Sequence, residues 1–155
     1  MGETLKKRLR QSKFESPYQE AILAVLVAAS TLNEQLDRAC SEFDISRQQY
    51  NILRILKGAR GGGYQCGDIA SRMLDRAPDI TRRIDGLAKL GLVERERSED
   101  DRRVVITQIT PKGLDLLDKL QVTLNVWYND LRKKLSTQEC RALAELCEKL
   151  IDSEE

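Results

Sequence analysis

Residues 68–103 read DIASRMLDRAPDITRRIDGLAKLGLVERERSEDDRR, and this stretch decides the fold class. A helix is predicted to begin at Pro78, since proline suits the first turn, and to end before Gly91, since glycine commonly follows the last turn. Apolar residues recur from Ile80 at intervals of three and four, so one face of this helix is expected to pack inward. Two short strand-forming runs around an acidic turn follow, and they predict a β-hairpin.

Charged side chains cover the outer face of the predicted helix and the tip of the predicted hairpin. An arginine on an exposed helix suits the major groove of DNA, and an extended arginine at a hairpin turn suits the narrow minor groove. Asp101 is placed to hold Arg103 extended through a charge-assisted bond. A solvated helix face and a surface hairpin with cross-strand ion pairs are the alternative interpretation. The candidate DNA-binding residues are Pro78, Asp79, Thr81, Arg82, Arg83, Arg97, Asp101, Arg102 and Arg103.

The distribution of charge favours a polyanionic partner for the middle of the chain. The 155 residues carry a formal net charge of +1, with 26 basic and 25 acidic side chains. Residues 47–112 hold fourteen of the basic and nine of the acidic groups, a net charge of +5, whereas the segments before and after them carry −1 and −3. A basic segment between acidic ends is expected of a chain that binds nucleic acid through its middle.

Several classes of function are disfavoured by what the sequence lacks. The chain has no histidine, which removes the commonest general base and the commonest zinc ligand. Its four cysteines form no CxxC pair, and Gly61-Gly62-Gly63 is not followed by the Lys-Ser/Thr of a phosphate-binding loop. We therefore expect no enzymatic activity, no cofactor and no metal site. No apolar run is long enough to span a bilayer and no signal peptide is recognised, so a cytoplasmic protein without a membrane partner is expected.

Long helices are predicted on both sides of the central segment. Ser16, Ser46 and Ser136 each begin a capping-box pattern with Gln or Glu three residues later, and Thr110 precedes Pro111 at a further helix start. The predicted order is four helices, a hairpin and two helices, so the fold is expected to be mainly α with a small β-hairpin. The first helix and the last two have broad apolar faces, which a second copy of the chain would bury.

Motifs spread over the central segment together resemble those of the MarR family of bacterial transcription regulators. The resemblance extends over roughly residues 20–150. An Asp-x-Arg hairpin followed by Thr-x-Lys-Gly, after a Gly-Leu-Val-x-Arg turn, is specific in combination. The matching motifs are ISxxQYxIL at 45–53, DIA at 68–70, TRxIDxL at 81–87, GLVxR at 91–95, DxR at 101–103 and ITxKG at 109–113.

This resemblance implies a winged helix-turn-helix core between long terminal dimerisation helices. The DNA-binding domain is placed at residues 45–110, the N-terminal dimerisation helix at 16–44 and the C-terminal dimerisation helices at 111–155. Residues 1–15 are expected to form a flexible basic tail, either solvated or making an auxiliary phosphate contact.

The resemblance also implies what such a chain would bind. A homodimer would dock its two lobes on a palindromic operator in double-stranded DNA, with Thr81 and Arg82 in the major groove and Arg103 in the minor groove. Members of the family usually act as repressors, and many release DNA when a small-molecule effector binds. A winged-helix module that serves only protein–protein assembly is the alternative, which the basic central segment disfavours.

Two sets of residues are candidates for sensing a signal. Tyr18, Tyr50, Trp127 and Tyr128 are candidates to line a pocket for an aromatic ligand, although aromatic residues at helical spacing also suit a core. Cys66 lies in the predicted first turn of a helix, where the dipole favours a thiolate and hence a redox response; a small half-buried residue is the alternative. The family's peroxide sensors have a cysteine near the start of the first long helix and its zinc sensors rely on histidines, and this chain has neither.

Overall fold

The computed structural model describes residues 2–75, 79–98, 101 and 103–151. Helices dominate this part of the chain, and the order of α2 to α7 is the order that the sequence predicts, so the mainly α fold class is confirmed. In chain order the elements are α1 (Glu3–Leu9), α2 (Pro17–Ser41), α3 (Arg47–Gly58), β1 (Tyr64–Gln65), α4 (Cys66–Arg72), α5 (Ile80–Lys89), β2 (Val93–Arg97), β3 (Val105–Ile109), α6 (Pro111–Lys134) and α7 (Thr137–Ile151).

The long helices begin at the capping residues that the sequence indicates. The Ser46 hydroxyl accepts a hydrogen bond from the backbone N–H of Gln49, and the Gln49 side chain accepts one from the backbone N–H of Ser46, so the predicted capping box is complete. At the start of α2 the Ser16 hydroxyl accepts from the N–H of Gln19, but the Gln19 side chain accepts from the N–H of Glu15. The capping box predicted at Ser16 is therefore only half formed, because the Gln19 side chain accepts from Glu15 rather than from Ser16.

The predicted β-hairpin is present, and a third strand that the sequence did not predict completes the sheet. β2 and β3 pair antiparallel, with Arg97 opposite Val105, and β1 pairs antiparallel with the other edge of β3. Gly63 precedes β1 with a φ of +67°, and a Cβ at this position would lie 2.5 Å from the carbonyl oxygen of Thr107. Glycine is therefore required for the chain to approach β3 closely enough to pair with it.

One aliphatic core holds α5 against the remaining elements. Its centre is α3, which packs against α2, α4, α5, α6 and β3, and whose Ile52, Leu53 and Leu56 are buried. Ile84 and Leu87 bury the inner face of α5 in the same core. Each fully buried aliphatic side chain contributes about 1.5–3 kcal/mol to the free energy of folding, so these contacts hold α5 against α3 and the rest of the core.

The terminal helices keep large apolar side chains exposed within the single chain. On α7, where no described residue is buried, Leu143, Leu146 and Leu150 are 51%, 60% and 65% exposed. On α2, Ile22 and Leu26 are exposed as well. Large apolar side chains left exposed in this way are typical of surfaces that contact another molecule.

The first fifteen residues, for which the sequence predicted a flexible basic tail, include a helix. α1 spans seven residues, with Glu3 in its first turn and an ion pair between Glu3 and Lys6 at 3.4 Å. The Arg8 guanidinium lies 3.8 Å from the carboxylate of Glu34, so α1 lies alongside α2. An i,i+3 ion pair and a docking partner stabilise a segment whose composition alone is polar.

Candidate nucleic-acid interface

The outer face of α5 is the first part of the candidate interface. Ile80 is buried at the start of the helix, as its spacing predicts, whereas Thr81 and Arg82 are exposed. Asp79 is the N-cap residue of α5 by position, but its side chain makes no capping hydrogen bond. The exposed residues of the first turn therefore point to solvent at the end of the helix that usually meets base edges.

Arg83, predicted to lie on the same outer face, is half-buried and bonded within the protein. Its Nε donates to Oδ1 of Asp79 at 3.0 Å. Its Nη1 lies 3.5 Å from the hydroxyl oxygen of Ser46 and 3.4 Å from Oε1 of Gln48, both at the start of α3. The side chain of Arg83 thus joins α5 to α3, whereas that of the adjacent Arg82 is exposed.

Arg95 joins α5 to the sheet on the other side. Its Nη2 lies 2.6 Å from Oδ1 of Asp85 and 3.5 Å from the backbone carbonyl oxygen of Thr81. We call this contact between β2 and α5 the Arg95 brace. It adds a polar contact to the packing of α5 on β2, and together these contacts set the relation between the two candidate DNA-contacting elements.

The hairpin turn differs in one detail from the sequence prediction. Asp101 does not hold the guanidinium of Arg103 in the described hydrogen bonds; its carboxylate accepts from the backbone N–H of Arg103 at 2.9 Å. The backbone N–H of Val104 donates to the carbonyl oxygen of Asp101, and that of Ser98 to the carbonyl of Val104. Asp101 therefore shapes the turn, and Arg103 and Arg97 are exposed beside it.

Two of the predicted contact residues, Pro78 and Arg102, lie outside the described residues, as do Glu99 and Asp100 of the acidic turn. Sequence reasoning missed the residues whose side chains join one element to another. They are chiefly Gln48, which joins α3 to α5, and the pair of Arg95 and Asp85, which joins β2 to α5. The opposite charges of Asp85 and Arg95, ten residues apart on either side of a turn, could have indicated the Arg95 brace. Nothing in the local sequence around Gln48 indicates its distant partner.

The structure brings three of the four candidate ligand-binding aromatics to one cavity. Tyr50, Trp127 and Tyr128 line a space of about 320 Å³ between α3, α6 and the C-terminal half of α2. The Arg54 guanidinium lies 5.9 Å from the Tyr50 ring centroid, and burial raises the pKa of the Tyr50 hydroxyl. Tyr18 is 81% exposed and is not among the residues that line this cavity.

Cys66 is the first residue of α4, as the sequence predicts, and it is half-buried. Its sulfur lies 3.6 Å from the hydroxyl oxygen of Thr81 on α5. A chemical change at this sulfur would therefore alter a direct contact of Thr81, one of the candidate DNA-contacting residues. Cys40 is buried in the core, and burial raises the pKa of its thiol to about 11.

Two further observations concern the part of the chain that the structure describes. None of its helices is long and apolar enough to cross a membrane. Within the same residues, Cys, Asp and Glu side chains form no group of three that could hold a metal ion.

Comparison with known proteins places this geometry among transcription regulators. Residues 45–105 match the model of the MarR family. A MarR transcription factor of known structure from Planctomyces limnophilus is 36% identical, with a TM-score of 0.66 over 88% of this chain and 98% of that one. The transcriptional repressor MprA of Escherichia coli K12 is 28% identical over 147 residues, which cover 93% of this chain and 84% of that protein.

A solved protein–DNA complex has the same fold. The chain of the S. aureus MepR–DNA complex superimposes with a TM-score of 0.73 at 21% identity, over 90% of this chain and 98% of that one. At this identity the likeness concerns the fold alone. The similarity extends along nearly the full length of MepR, so it includes the long terminal helices as well as the central lobe.

Proposed function

Because the chain belongs to the MarR family of transcriptional regulators, we propose that it binds a palindromic operator in double-stranded DNA as a homodimer and acts as a repressor. In this proposal α5 enters the major groove with Thr81 and Arg82, and the hairpin enters the adjacent minor groove with Arg103. The proposed DNA surface also includes Pro78, Asp79, Arg97, Asp101 and Arg102. MepR of S. aureus, which shares the fold, has been solved in complex with DNA.

The observation that carries the proposal is the direct contact between α5 and the hairpin. The exposed first turn of α5 presents Thr81 and Arg82, and the Arg95 brace connects this turn to the strand that leads into the hairpin tip. An arginine can pair bidentately with guanine in the major groove, and a narrow minor groove attracts an extended arginine. A rigid unit that presents both is suited to two neighbouring grooves.

The homodimer is supported by the apolar side chains that the single chain leaves exposed. They lie on α2, α6 and α7, in the segments proposed as dimerisation helices at residues 16–44 and 111–155, and include Leu146 and Val122. A second copy that intertwines with these helices would remove them from water, and each would then contribute roughly 1–2 kcal/mol. The pairing would place two copies of the lobe at 45–110 on one duplex.

Selection of DNA from a random-sequence pool tests the proposed function. We expect the protein to enrich duplexes that contain two inverted half-sites about one helical turn apart. Fluorescence anisotropy on an enriched duplex should show affinity that falls about a thousandfold between roughly 50 and 200 mM salt, since several phosphates are neutralised. Failure to enrich any sequence, together with equal binding to all duplexes, would contradict an operator-binding function.

The substitution Arg103→Ala tests the placement of the hairpin. We expect it to weaken binding to the enriched duplex by about tenfold or more, because the minor-groove contact is lost while the fold is unchanged. Arg132→Ala, which removes an exposed arginine near the end of α6, is the matched control and should bind as the parent does. Parent-like binding by Arg103→Ala across a salt titration would remove the hairpin from the interface.

A winged-helix module for protein–protein assembly alone is the second candidate function. The net charge of +5 on residues 47–112 argues against it, since an assembly surface has no need of excess positive charge. Absence of any mobility shift, with the enriched pool and with the DNA upstream of the chain's own gene, would favour this module over a repressor.

For the signal that releases DNA, we propose a small aromatic ligand bearing a negative charge, bound in the cavity lined by Tyr50, Trp127 and Tyr128. The aromatic rings offer stacking surfaces and Arg54 supplies the cation. Benzoate should raise the melting temperature of the protein more than its uncharged analogue benzamide does. Arg54→Gln should abolish that difference; equal shifts by both compounds in the parent would contradict the assignment.

Oxidation of Cys66 is the alternative signal, supported by its 3.6 Å contact with Thr81. Under this alternative, mild peroxide should abolish DNA binding by the parent and leave Cys66→Ser unaffected. Loss of binding by both proteins, or by neither, would exclude a role for this thiol.

A further inference from the structure

Resting on the proposed DNA-binding function, we infer that Arg83 is a positioning residue that reads no base itself. Its side chain fixes the rotation of α5 about its own axis, so that Thr81 and Arg82 face the DNA. The neighbouring arginines of α5 thus have different tasks. Arg82 meets the DNA, and Arg83 holds the helix that presents it.

The contacts of the Arg83 guanidinium all lie within the lobe. Nε donates to the Asp79 carboxylate at 3.0 Å, four residues back on α5, and Nη1 reaches the hydroxyl of Ser46 and the amide oxygen of Gln48 on α3. The Arg83 side chain is only 26% exposed. A planar guanidinium that is already committed to three acceptors would have to give up these bonds to pair with a base.

The location of these contacts explains why Asp79 is part of the arrangement. Ser46 is the N-cap of α3, so the positive end of that helix dipole lies close to Nη1 of Arg83. A cation is unfavourable at a helix N-terminus. The Asp79 carboxylate offsets this repulsion, and without it Arg83 would leave α3. The position of Arg83 is therefore expected to depend on Asp79.

The backbone of Arg83 is attached to α3 as well. The side-chain amide of Gln49 donates to the carbonyl oxygen of Arg83 at 3.4 Å. A Cβ on Gly86 would lie 2.8 Å from that amide nitrogen, so the absence of a side chain at this position leaves room for the Gln49 amide. We call the set of Ser46, Gln48, Gln49, Asp79 and Arg83 the α3–α5 latch. It connects the two helices through polar groups beside the aliphatic core.

Fluorescence anisotropy of two single variants and their double variant tests the inference on a duplex enriched by the parent. Arg83→Gln and Asp79→Asn should each weaken binding to this duplex by about tenfold, and the double variant should be no worse than either, because both break the same latch. The direction in which Asp79→Asn changes the affinity for DNA is decisive. Removing a negative charge next to DNA would strengthen binding if no latch existed. Stronger binding by Asp79→Asn would overturn the inference.

Three controls separate positioning from direct contact. The slope of affinity against salt should be unchanged in Arg83→Gln, whereas loss of a phosphate contact would reduce that slope by about one. Arg83→Lys should bind as weakly as Arg83→Gln, since lysine keeps the charge but not the planar fork. Reselection with Arg83→Gln should relax preference over the whole half-site. In contrast, Arg82→Gln should relax it at one base pair. A reduced slope, rescue by lysine, or relaxation at one base pair in the Arg83 variant would each overturn the inference.

Hydrogen exchange tests the latch without DNA, so its failure is distinguishable from failure of the proposed function. Amide protons in the first two turns of α5 should exchange about tenfold faster in Arg83→Gln and in Asp79→Asn, with no change in α6. Arg82→Gln should exchange as the parent does. If no duplex is enriched, this result still decides the role of Arg83, and unchanged exchange in both latch variants would overturn it.

Discussion

At the scale of single residues, the surroundings of each arginine around α5, rather than its position in the sequence, decide whether it is bonded within the protein. Arg82, Arg95 and Arg103 are exposed and Arg83 is half-buried. The side chains of Arg83 and Arg95 are bonded to carboxylates of the protein. Helical periodicity placed Arg83 on the outer face, and it could not reveal acceptors some thirty-five residues away on α3. The outer face of α5 is therefore narrower than the sequence indicates, and its first turn holds most of the proposed contact surface.

Cys40 gives a prediction about stability at high pH. Burial raises the pKa of its thiol from 9.0 to about 11, with nearby Asp37 acting in the same direction. Since the unfolded chain would ionise this thiol near pH 9, the contribution of neutral Cys40 is fully present below pH 9 and is lost as the pH rises towards about 11. We expect the free energy of unfolding to fall by roughly 2 kcal/mol over this range on account of Cys40.

Urea denaturation at a series of pH values measures this effect. The decline between pH 9 and pH 11 should be shallower in Cys40→Ala than in the parent, whatever the two proteins' stabilities at neutral pH. Cys147→Ala, which alters a half-buried cysteine of α7, is the control and should follow the parent. Parallel curves for the parent and Cys40→Ala would show that the thiol titrates alike in the folded and unfolded chain.

At the scale of elements, the residues that follow α4 are anchored to α3 by side chains. Asn51 is buried, and its Oδ1 accepts a hydrogen bond from the backbone N–H of Leu74 at 2.9 Å. Arg47 bonds to Asp75 at 3.1 Å and to Asp37 of α2 at 3.2 Å. Leu74 and Asp75 are thus attached to α3 and, through Arg47, to the long helix α2.

The substitution Asn51→Ala tests this anchor. It would leave the N–H of Leu74 without its buried acceptor, so the free energy of unfolding should fall by about 1–3 kcal/mol. Asn125→Ala on the exposed face of α6 is the matched control and should change stability by less than about 0.5 kcal/mol. Equal, small effects of both substitutions in urea denaturation would mean that water replaces Asn51 at this site.

The elements that the sequence predicted well are those with long periodic patterns and capping residues. A Ser or Thr cap precedes each of α2, α3, α6 and α7, and the apolar residues of α5 recur at helical spacing on one face. β1 was missed because two residues carry no period and its pairing depends on the close approach at Gly63. α1 was missed because its short polar sequence is supported by docking on α2. Contacts between distant segments decide such elements, and local pattern does not contain them.

At the scale of the whole molecule, the terminal helices give a prediction about assembly. Leu146→Asp places a charge in the exposed apolar face of α7, which the proposed partner copy would cover. We expect this variant to sediment as a monomer at concentrations where the parent is a dimer, because burying an unpaired carboxylate at an interface is strongly unfavourable.

A leucine elsewhere on the surface provides the control for assembly. Leu74 is 75% exposed and lies outside the proposed dimerisation helices at residues 16–44 and 111–155, so Leu74→Asp should leave the sedimentation of the dimer unchanged. Dissociation by both variants would indicate general destabilisation. Dimers from both would place the subunit contact somewhere other than α7.

The Arg95 brace has a consequence for the kinetics of leaving DNA. Because β2 and α5 are connected at 2.6 Å, the two proposed groove contacts of one lobe would act as the two arms of a chelate. Once one arm is seated, the other meets its groove at an effective local concentration on the order of millimolar or higher, whatever the concentration of protein in solution. Release then requires both arms to detach within the same short interval. A signal that loosens the brace would therefore shorten the residence time on DNA while leaving the rate of arrival nearly unchanged.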